Sequence, residues 1–140
     1  MFYEVRLKGF IEFRAVDCVP PSIMLSVAAL LVGLVYDNSA RSDLVQLLRR
    51  YDEQVVLDAH LNLPKKGFSG RFGRHDVLGV CKDLVELSKD GLSRWAPESM
   101  DLLEPVHERV YLGKTFAEEL VSRLGEDLRD KPHDWLENLL

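Results

Sequence analysis

The first hydrophobic pattern along the chain alternates with a period of two. Between Glu4 and Asp17, apolar residues occupy most odd positions and charged residues most even ones. The apolar set is Val5, Leu7, Ile11, Phe13 and Ala15, and the charged set is Glu4, Arg6, Lys8, Glu12 and Arg14. A period of two is typical of β-structure with one face on a core. We therefore predict a strand segment over residues 3–18, as one or two antiparallel strands, with a bend or bulge at Gly9.

Beyond Pro20 and Pro21 the spacing of apolar residues becomes helical. Proline ends the strand because it has no amide donor for a sheet. Residues 23–35 are apolar almost all round, which predicts a helix buried on most sides, with Ser22 as its N-cap. About five more helical stripes follow, so the predicted fold class is α+β and mostly helical, with a helical segment over residues 22–140.

Polar residues at the ends of these stripes predict helix boundaries. Asp37 and Asp52 stand where N-caps are expected, and Thr115 and Glu118 have the spacing of a capping box. Gly113 follows an apolar stripe and predicts a helix end. Gly91 is expected to weaken the last turn of a long helix. Residues 64–74 predict a loop rich in glycine and basic residues.

The length predicts one domain, which we expect to be partial. The 140 residues are 46% hydrophobic and 29% charged, and no linker-like segment divides them. One or two strands with an apolar face need further strands or a helix layer for stability. We therefore expect residues 1–140 to be a single partial domain whose sheet neighbours are missing. An exposed strand edge also predicts self-association, as in a homodimer.

Charge and hydropathy exclude two classes of partner. The net charge of −5 is spread along the chain, which argues against a nucleic acid partner, since that needs a concentrated basic surface. The apolar run 23–35 is shorter than the ~20 residues that a bilayer span needs, so no membrane partner is expected. We expect a cytoplasmic protein in which Cys18 and Cys81 are buried thiols.

The strand segment holds the strongest candidate chemistry. Glu12 and Arg14 share a strand face about 7 Å apart, and Asp17 lies near the strand end. A carboxylate is a suitable Mg²⁺ ligand, and a guanidinium can bind a phosphoryl group through two hydrogen bonds. The alternative is an ordinary exposed ion pair, which contributes only ~0–1 kcal/mol.

A second, weaker candidate lies in the basic loop. Lys66 and Arg71 could contact phosphates, because nearby glycines let backbone amides approach an anion. The alternative is a solvated basic loop, and no Walker pattern is present. The four histidines do not have zinc-site spacing.

The order of these motifs resembles that of a known enzyme family. Val5-Arg6-Leu7-Lys8 followed by Phe10-Ile11-Glu12-Phe13-Arg14-Ala15-Val16-Asp17 resembles the E-x-R-x-x-D strand of the plant-like and bacterial glutamate–cysteine ligases. The proline-rich turn and three later segments resemble the same family in order. These segments are Gly33-Leu34-Val35-Tyr36-Asp37, Leu87-Ser88-Lys89-Asp90-Gly91-Leu92, and the region from Glu108-Arg109-Val110 to Glu119-Leu120.

The resemblance implies a fold and a reaction. Such ligases have a fold like the glutamine synthetase catalytic domain, in which an antiparallel sheet carries metal-binding carboxylates. With Mg²⁺ and ATP as co-substrate they phosphorylate glutamate, and cysteine then attacks the acyl phosphate. The product is γ-glutamylcysteine, in the first step of glutathione biosynthesis. By this likeness Glu12 would bind Mg²⁺, Arg14 would contact the transferred phosphoryl group, and Asp17 would have a supporting role.

The length of the chain limits this expectation. Complete members of the family are much longer and carry most other metal-binding carboxylates in earlier strands. The chain therefore resembles the C-terminal part of a ligase, and we expect it to be inactive alone. Two alternatives stay open: a related carboxylate–amine ligase with another amine acceptor, and a non-catalytic helical module that binds a protein partner through its strand.

Overall fold

The structure, a computed structural model, describes residues 5–14 and 19–124, with side chains up to residue 122. A first hairpin is formed by β1 (Val5–Leu7) and β2 (Ile11–Phe13). It is followed by α1 (Pro21–Val35), α2 (Asn38–Leu48), α3 (Glu53–Lys66), β3 (Arg71–Phe72), β4 (His75–Asp76), α4 (Val77–Trp95), α5 (Glu104–Leu112) and α6 (Phe116–Leu124). Short 3₁₀ segments span Gly67–Ser69 and Pro97–Leu103. The prediction of an α+β, mostly helical chain with N-terminal antiparallel strands is confirmed.

The strand segment folds back on itself at Gly9. Gly9 has φ +74°, which glycine adopts at little cost, and the turn it forms joins β1 to β2. The antiparallel register pairs Val5 with Phe13 and Arg6 with Glu12. The bend expected at Gly9 is therefore the turn of a hairpin.

The apolar face of this hairpin is exposed, because no core covers it among the described residues. Of the four apolar residues on this face, Leu7 is 81% exposed, Ile11 58% and Val5 53%. Even the least exposed, Phe13, is 44% exposed. Burial of apolar area is what normally stabilises a two-stranded sheet. The hairpin thus depends largely on its own backbone pairing.

The predicted helix caps are confirmed, with one correction. The side chains of Asp37 and Asp52 accept hydrogen bonds from the amides of Ala40 (2.8 Å) and Val55 (2.9 Å). Thr115 and Glu118 form the expected capping box, and α5 ends at Gly113 in the left-handed region. The correction concerns α1, which begins at Pro21, because proline suits the first helical position, and not behind a Ser22 cap.

Helices α1 and α4 cross at a point lined by small residues. A Cβ atom added at Gly91 would overlap the carbonyl oxygen of Gly33, and one added at Gly33 would overlap the carbonyl oxygen of Ser88. Ser88 is fully buried, and its hydroxyl donates to the carbonyl of Leu30 at 2.9 Å. Gly91 was expected only to weaken its helix, but its missing side chain lets the two backbones meet.

The core lies beside this crossing. Ala29, Leu92 and Leu103 are buried together there. The hydroxyl of Ser26, also fully buried, donates to the carbonyl of Leu103 (3.1 Å) and accepts from the amide of Val106 (2.9 Å). This serine ties α1 to the start of α5.

The first half of α1 is less buried than its composition predicts. Met24 and Leu25 are both more than half exposed, whereas residues 29–35 are all buried or half-buried, as predicted for most of the helix. No single described helix is long and apolar enough to cross a bilayer. By length and composition α1 and α2 pass that test only as a pair, which bends by 91° at the break.

Candidate functional site

Glu12 lies in the middle of β2 and pairs across the hairpin, not along it. Nε of Arg6 donates to Oε2 of Glu12 at 2.8 Å, and the Glu12 side chain is 34% exposed. Residues 6 and 12 are equidistant from the turn at Gly9, so the register itself makes them partners. The ion pair anticipated for this strand exists, but its cation is Arg6.

Arg14 lies just beyond the end of β2 and is exposed. The ion pairs of the described residues do not join it to Glu12. Asp17, predicted as a supporting residue, lies outside the described residues. The hairpin therefore presents one carboxylate, with Arg6 beside it and Arg14 two residues further along the chain.

The carboxylate of Glu12 is chemically suited to be one ligand of a Mg²⁺ ion. The hydrogen bond from Arg6 uses Oε2, so Oε1 can face a cation. Mg²⁺ typically takes one or two protein carboxylates and fills its remaining positions with phosphate oxygens and water. Within residues 5–14 and 19–124, no three or more His, Cys, Asp or Glu side chains are placed to hold a metal ion.

The two basic residues predicted to contact phosphate lie on different elements. Lys66 is the exposed last residue of α3. Arg71 is on β3, where its Nη2 donates to the carbonyl oxygen of Arg74 at 2.5 Å. That bond spans the turn of the second hairpin and makes Arg71 a support of the turn.

Sequence reasoning missed a cleft beside this turn. It has a volume of about 480 Å³ and is lined by Arg50, Tyr51, Asp52, Val55, Gly73, Arg74 and His75. The lining comes from the connection between α2 and α3, the start of α3 and the β3–β4 hairpin. No local pattern connects these three segments. The only signals in the sequence are two short basic stretches, at Arg49-Arg50 and Arg71 to His75.

Aromatic contacts fix one wall of this cleft. The ring of Tyr51 meets the ring of Phe72 edge-on, at 4.4 Å between centroids, and that of His75 at 5.7 Å. Edge-to-face contacts of this kind are favourable because the positive ring edge meets the negative ring face. These contacts fix the position of the Tyr51 ring in the wall.

Two other ionisable groups have perturbed surroundings. The hydroxyl of Tyr111 on α5 donates to Glu86 on α4 at 2.7 Å, and this hydrogen bond raises the pKa of Tyr111. Burial raises the pKa of the Cys81 thiol, which makes it a weak nucleophile at neutral pH. The hydrogen bond between Tyr111 and Glu86 links α5 to α4. Cys18 lies outside the described residues.

Comparison with known proteins gives one consistent result. The family model described as Glutamate-cysteine ligase family 2 (GCS2) matches residues 1–138. Over 121 residues the chain is 30% identical to the chloroplastic glutamate–cysteine ligase of Solanum lycopersicum, covering 86% of this chain and 23% of that protein. The corresponding ligase of Arabidopsis thaliana is 31% identical over 121 residues, with the same coverage of both chains. That of Brassica juncea is 31% identical over 121 residues, covering 86% of this chain and 24% of that protein.

These matches confirm the resemblance drawn from the motifs and correct one expectation. The chain spans about a quarter of the length of the curated relatives it matches. The names of those relatives place them in the chloroplast, so the expectation of a cytoplasmic protein is contradicted.

Proposed function

Because the chain belongs to glutamate–cysteine ligase family 2, we propose that it forms part of an ATP-dependent ligase that joins glutamate to cysteine. The observation that carries the proposal is the first hairpin, where half-buried Glu12 lies on β2 and exposed Arg14 follows just beyond the end of that strand. Matched residues 1–138 include this hairpin.

The proposed reaction has two steps. The γ-carboxylate of glutamate attacks the terminal phosphorus of ATP, which gives an acyl phosphate and releases ADP. The amine of cysteine then attacks the acyl carbon and expels phosphate, forming γ-glutamylcysteine. In both steps negative charge gathers on phosphoryl oxygens, so the protein must supply fixed positive charge and hold the reactants in line.

Glu12 is proposed to hold Mg²⁺ through its carboxylate. Bound there, Mg²⁺ would offset the charge of the ATP phosphates. Arg6 holds Glu12 in place through the 2.8 Å hydrogen bond, which fixes the orientation of the carboxylate. Arg6 is thus a positioning residue for Glu12.

Arg14 is proposed to bind the transferred phosphoryl group. Its guanidinium can donate two parallel hydrogen bonds to phosphate oxygens, a geometry that also stabilises charge in the transition state. Asp17 is proposed to support Arg14. Lys66 and Arg71 remain weaker proposals as ATP phosphate contacts, and Arg71 already donates one hydrogen bond to Arg74.

The apolar face of the hairpin is proposed to pack on the remainder of a ligase. Val5, Leu7, Ile11 and Phe13 are each more than two-fifths exposed on that face, and such a face gains stability when covered. Since the relatives are about four times as long as the matched segment, we propose that the 140-residue chain does not turn over alone. The alternatives are that the same face binds another protein or a second copy of the chain.

A chimera provides that test. Residues 1–138 replace the matching segment of the Solanum lycopersicum ligase, and ADP release is measured with glutamate, cysteine and Mg-ATP. We expect turnover by the chimera and none by the 140-residue chain. We expect Glu12→Gln and Arg14→Ala each to reduce kcat by 10²-fold or more, the effect typical of a lost charge-stabilising group.

Matched controls separate these roles from general charge effects. Glu53→Gln and Arg49→Ala change exposed residues of the helical part and should leave kcat within about twofold. Replacing cysteine with other amines identifies the acceptor. Turnover by the isolated chain, or full activity in the Glu12→Gln chimera, would refute the corresponding proposal.

A further inference from the structure

The cleft around Tyr51 lies in the most basic part of an acidic protein. Residues 49–75 contain six lysines and arginines against three acidic residues, whereas the whole chain has a net charge of −5. Arg50 and Arg74 both line the cleft and are exposed. Guanidinium groups gathered around a concave surface raise the local concentration of anions.

The turn between β3 and β4 places Arg74 at the cleft. Gly73 has φ +62°, a conformation that glycine adopts without strain. Nη2 of Arg71 donates to the carbonyl of Arg74, which also stabilises the turn. A Cβ atom added at Gly73 would lie 3.2 Å from Cγ1 of Val55, so glycine also keeps the cleft open.

The charges of the lining indicate an anion with several acceptor oxygens. Arg50 and Arg74 carry two positive charges, and Asp52, whose carboxylate caps α3, carries one negative charge. A phosphate monoester has three strong acceptor oxygens, so one phosphate can accept charge-assisted hydrogen bonds from both guanidinium groups.

The size of the cleft indicates that the anion has an organic body. A volume of about 480 Å³ lies within the range of small-molecule sites and far exceeds the space needed for phosphate alone. Tyr51 and Val55 are half-buried and form an apolar wall, with the Tyr51 ring held by Phe72 and His75. Such a wall suits a flat or apolar group.

We propose that this cleft binds a small phosphate monoester with an aromatic body, whose phosphate contacts Arg50 and Arg74 and whose body lies against Tyr51 and Val55. The site is separate from the Glu12 and Arg14 residues of the proposed ligase reaction. It rests on the cleft alone, so binding can be tested without any catalytic activity.

The experiment uses the ¹⁵N-labelled 140-residue chain and AMP as the probe, with backbone amides observed by NMR. We expect saturable shifts of the Tyr51, Gly73 and Arg74 amides, with no comparable shifts at residues 5–14. Adenosine lacks the phosphate and glutarate is a dicarboxylate without an aromatic body, so both should bind at least about tenfold more weakly.

Exposed substitutions test the lining without threatening the fold. Arg50→Gln and Arg74→Gln should each weaken AMP binding about tenfold or more, because each removes a charge-assisted hydrogen bond. Arg49→Gln, next to the cleft but not in its lining, is the matched control and should change binding less than twofold. The proposal is overturned by the absence of saturable AMP binding, by equal binding of adenosine or glutarate, or by equal effects of the Arg49 and Arg74 substitutions.

Discussion

The first hairpin and the α1–α4 crossing differ in how closely their residues are packed. At the crossing, backbones meet where a Cβ would not fit, and Ser26 and Ser88 are fully buried with hydrogen-bond partners. In the hairpin, four apolar side chains are more than two-fifths exposed, and its side-chain ion pair, Arg6–Glu12, is partly solvated. The crossing is closely packed, whereas the apolar side chains of the hairpin are exposed.

This contrast separates stability from function. The helical part supplies the packing that keeps the chain folded, while the residues proposed to meet Mg²⁺ and phosphate lie on the hairpin. An exposed apolar face of this kind is typical of an element that packs against a partner surface. Substitutions should therefore divide cleanly: those at the crossing should lower the free energy of unfolding, and those of the charged hairpin residues should change activity.

The largest effect is expected at the crossing, from Gly91→Ala. On an exposed helix this change would stabilise by roughly 1 kcal/mol. Here the added Cβ overlaps the backbone of Gly33, so the helices must separate, and we expect a loss of about 3 kcal/mol or more. Urea unfolding measures it, with exposed Ser93→Ala in the same helix as control. An unchanged free energy of unfolding would show that the helices do not meet in this way.

Ser26→Ala should have the next largest effect. It removes the buried hydroxyl that bonds Leu103 and Val106, leaving a carbonyl and an amide without their partner. The expected loss is about 1–3 kcal/mol in urea unfolding. Exposed Ser22→Ala in the same helix is the matched control. Equal effects of the two serine substitutions would contradict the role assigned to Ser26.

Little change in stability is expected from Leu7→Ser in the hairpin. Leu7 is 81% exposed, so the free energy of unfolding should change by less than about 0.5 kcal/mol. The same substitution in the chimera should reduce its stability by more, if the ligase covers this face. A large loss in the isolated chain would mean that the hairpin is already packed, and the contrast between the two regions would fail.

The smallest effect is expected from Asp37→Asn, and it depends on pH. Hydrogen bonds from Arg94 (2.9 Å from Nη2) and from the amide of Ala40 hold the pKa of Asp37 below its ordinary 3.8. A lowered pKa stabilises the fold above the unfolded pKa, and the effect is lost as pH falls through the folded value. Asparagine keeps the cap but not the charge. The variant should be slightly less stable at pH 6 and equal at pH 2, by thermal unfolding.

Local signals in the sequence were sufficient for the helix boundaries. Asp37, Asp52 and Thr115 act on amides within three residues, so their capping roles can be inferred without the fold. The role of Gly91 could not be inferred in this way, because it depends on contact with Gly33 in another helix. The cleft is also non-local, since α3 separates Tyr51 from Gly73 in sequence.

The surroundings of Glu12 could be predicted only in part from the sequence. Treating the N-terminal segment as a strand correctly placed Glu12 on a charged face, but suggested Arg14 as its neighbour. The turn at Gly9 makes Arg6 its partner, and this follows only once the hairpin register is known. The family was identified from ordered motifs along the whole chain, so its identification did not depend on which arginine pairs with Glu12.

The Mg²⁺ requirement of the chimera tests the central claim most directly, because Glu12 is proposed to be a metal ligand. ADP release is measured against Mg²⁺ concentration for the unmodified chimera and for Glu12→Gln, with Glu53→Gln as control. Loss of a group that only orients a ligand typically weakens metal binding 10- to 100-fold. We therefore predict that Glu12→Gln raises the half-saturating Mg²⁺ concentration at least about tenfold without changing urea unfolding. An unchanged Mg²⁺ dependence in a folded Glu12→Gln chimera would contradict the account.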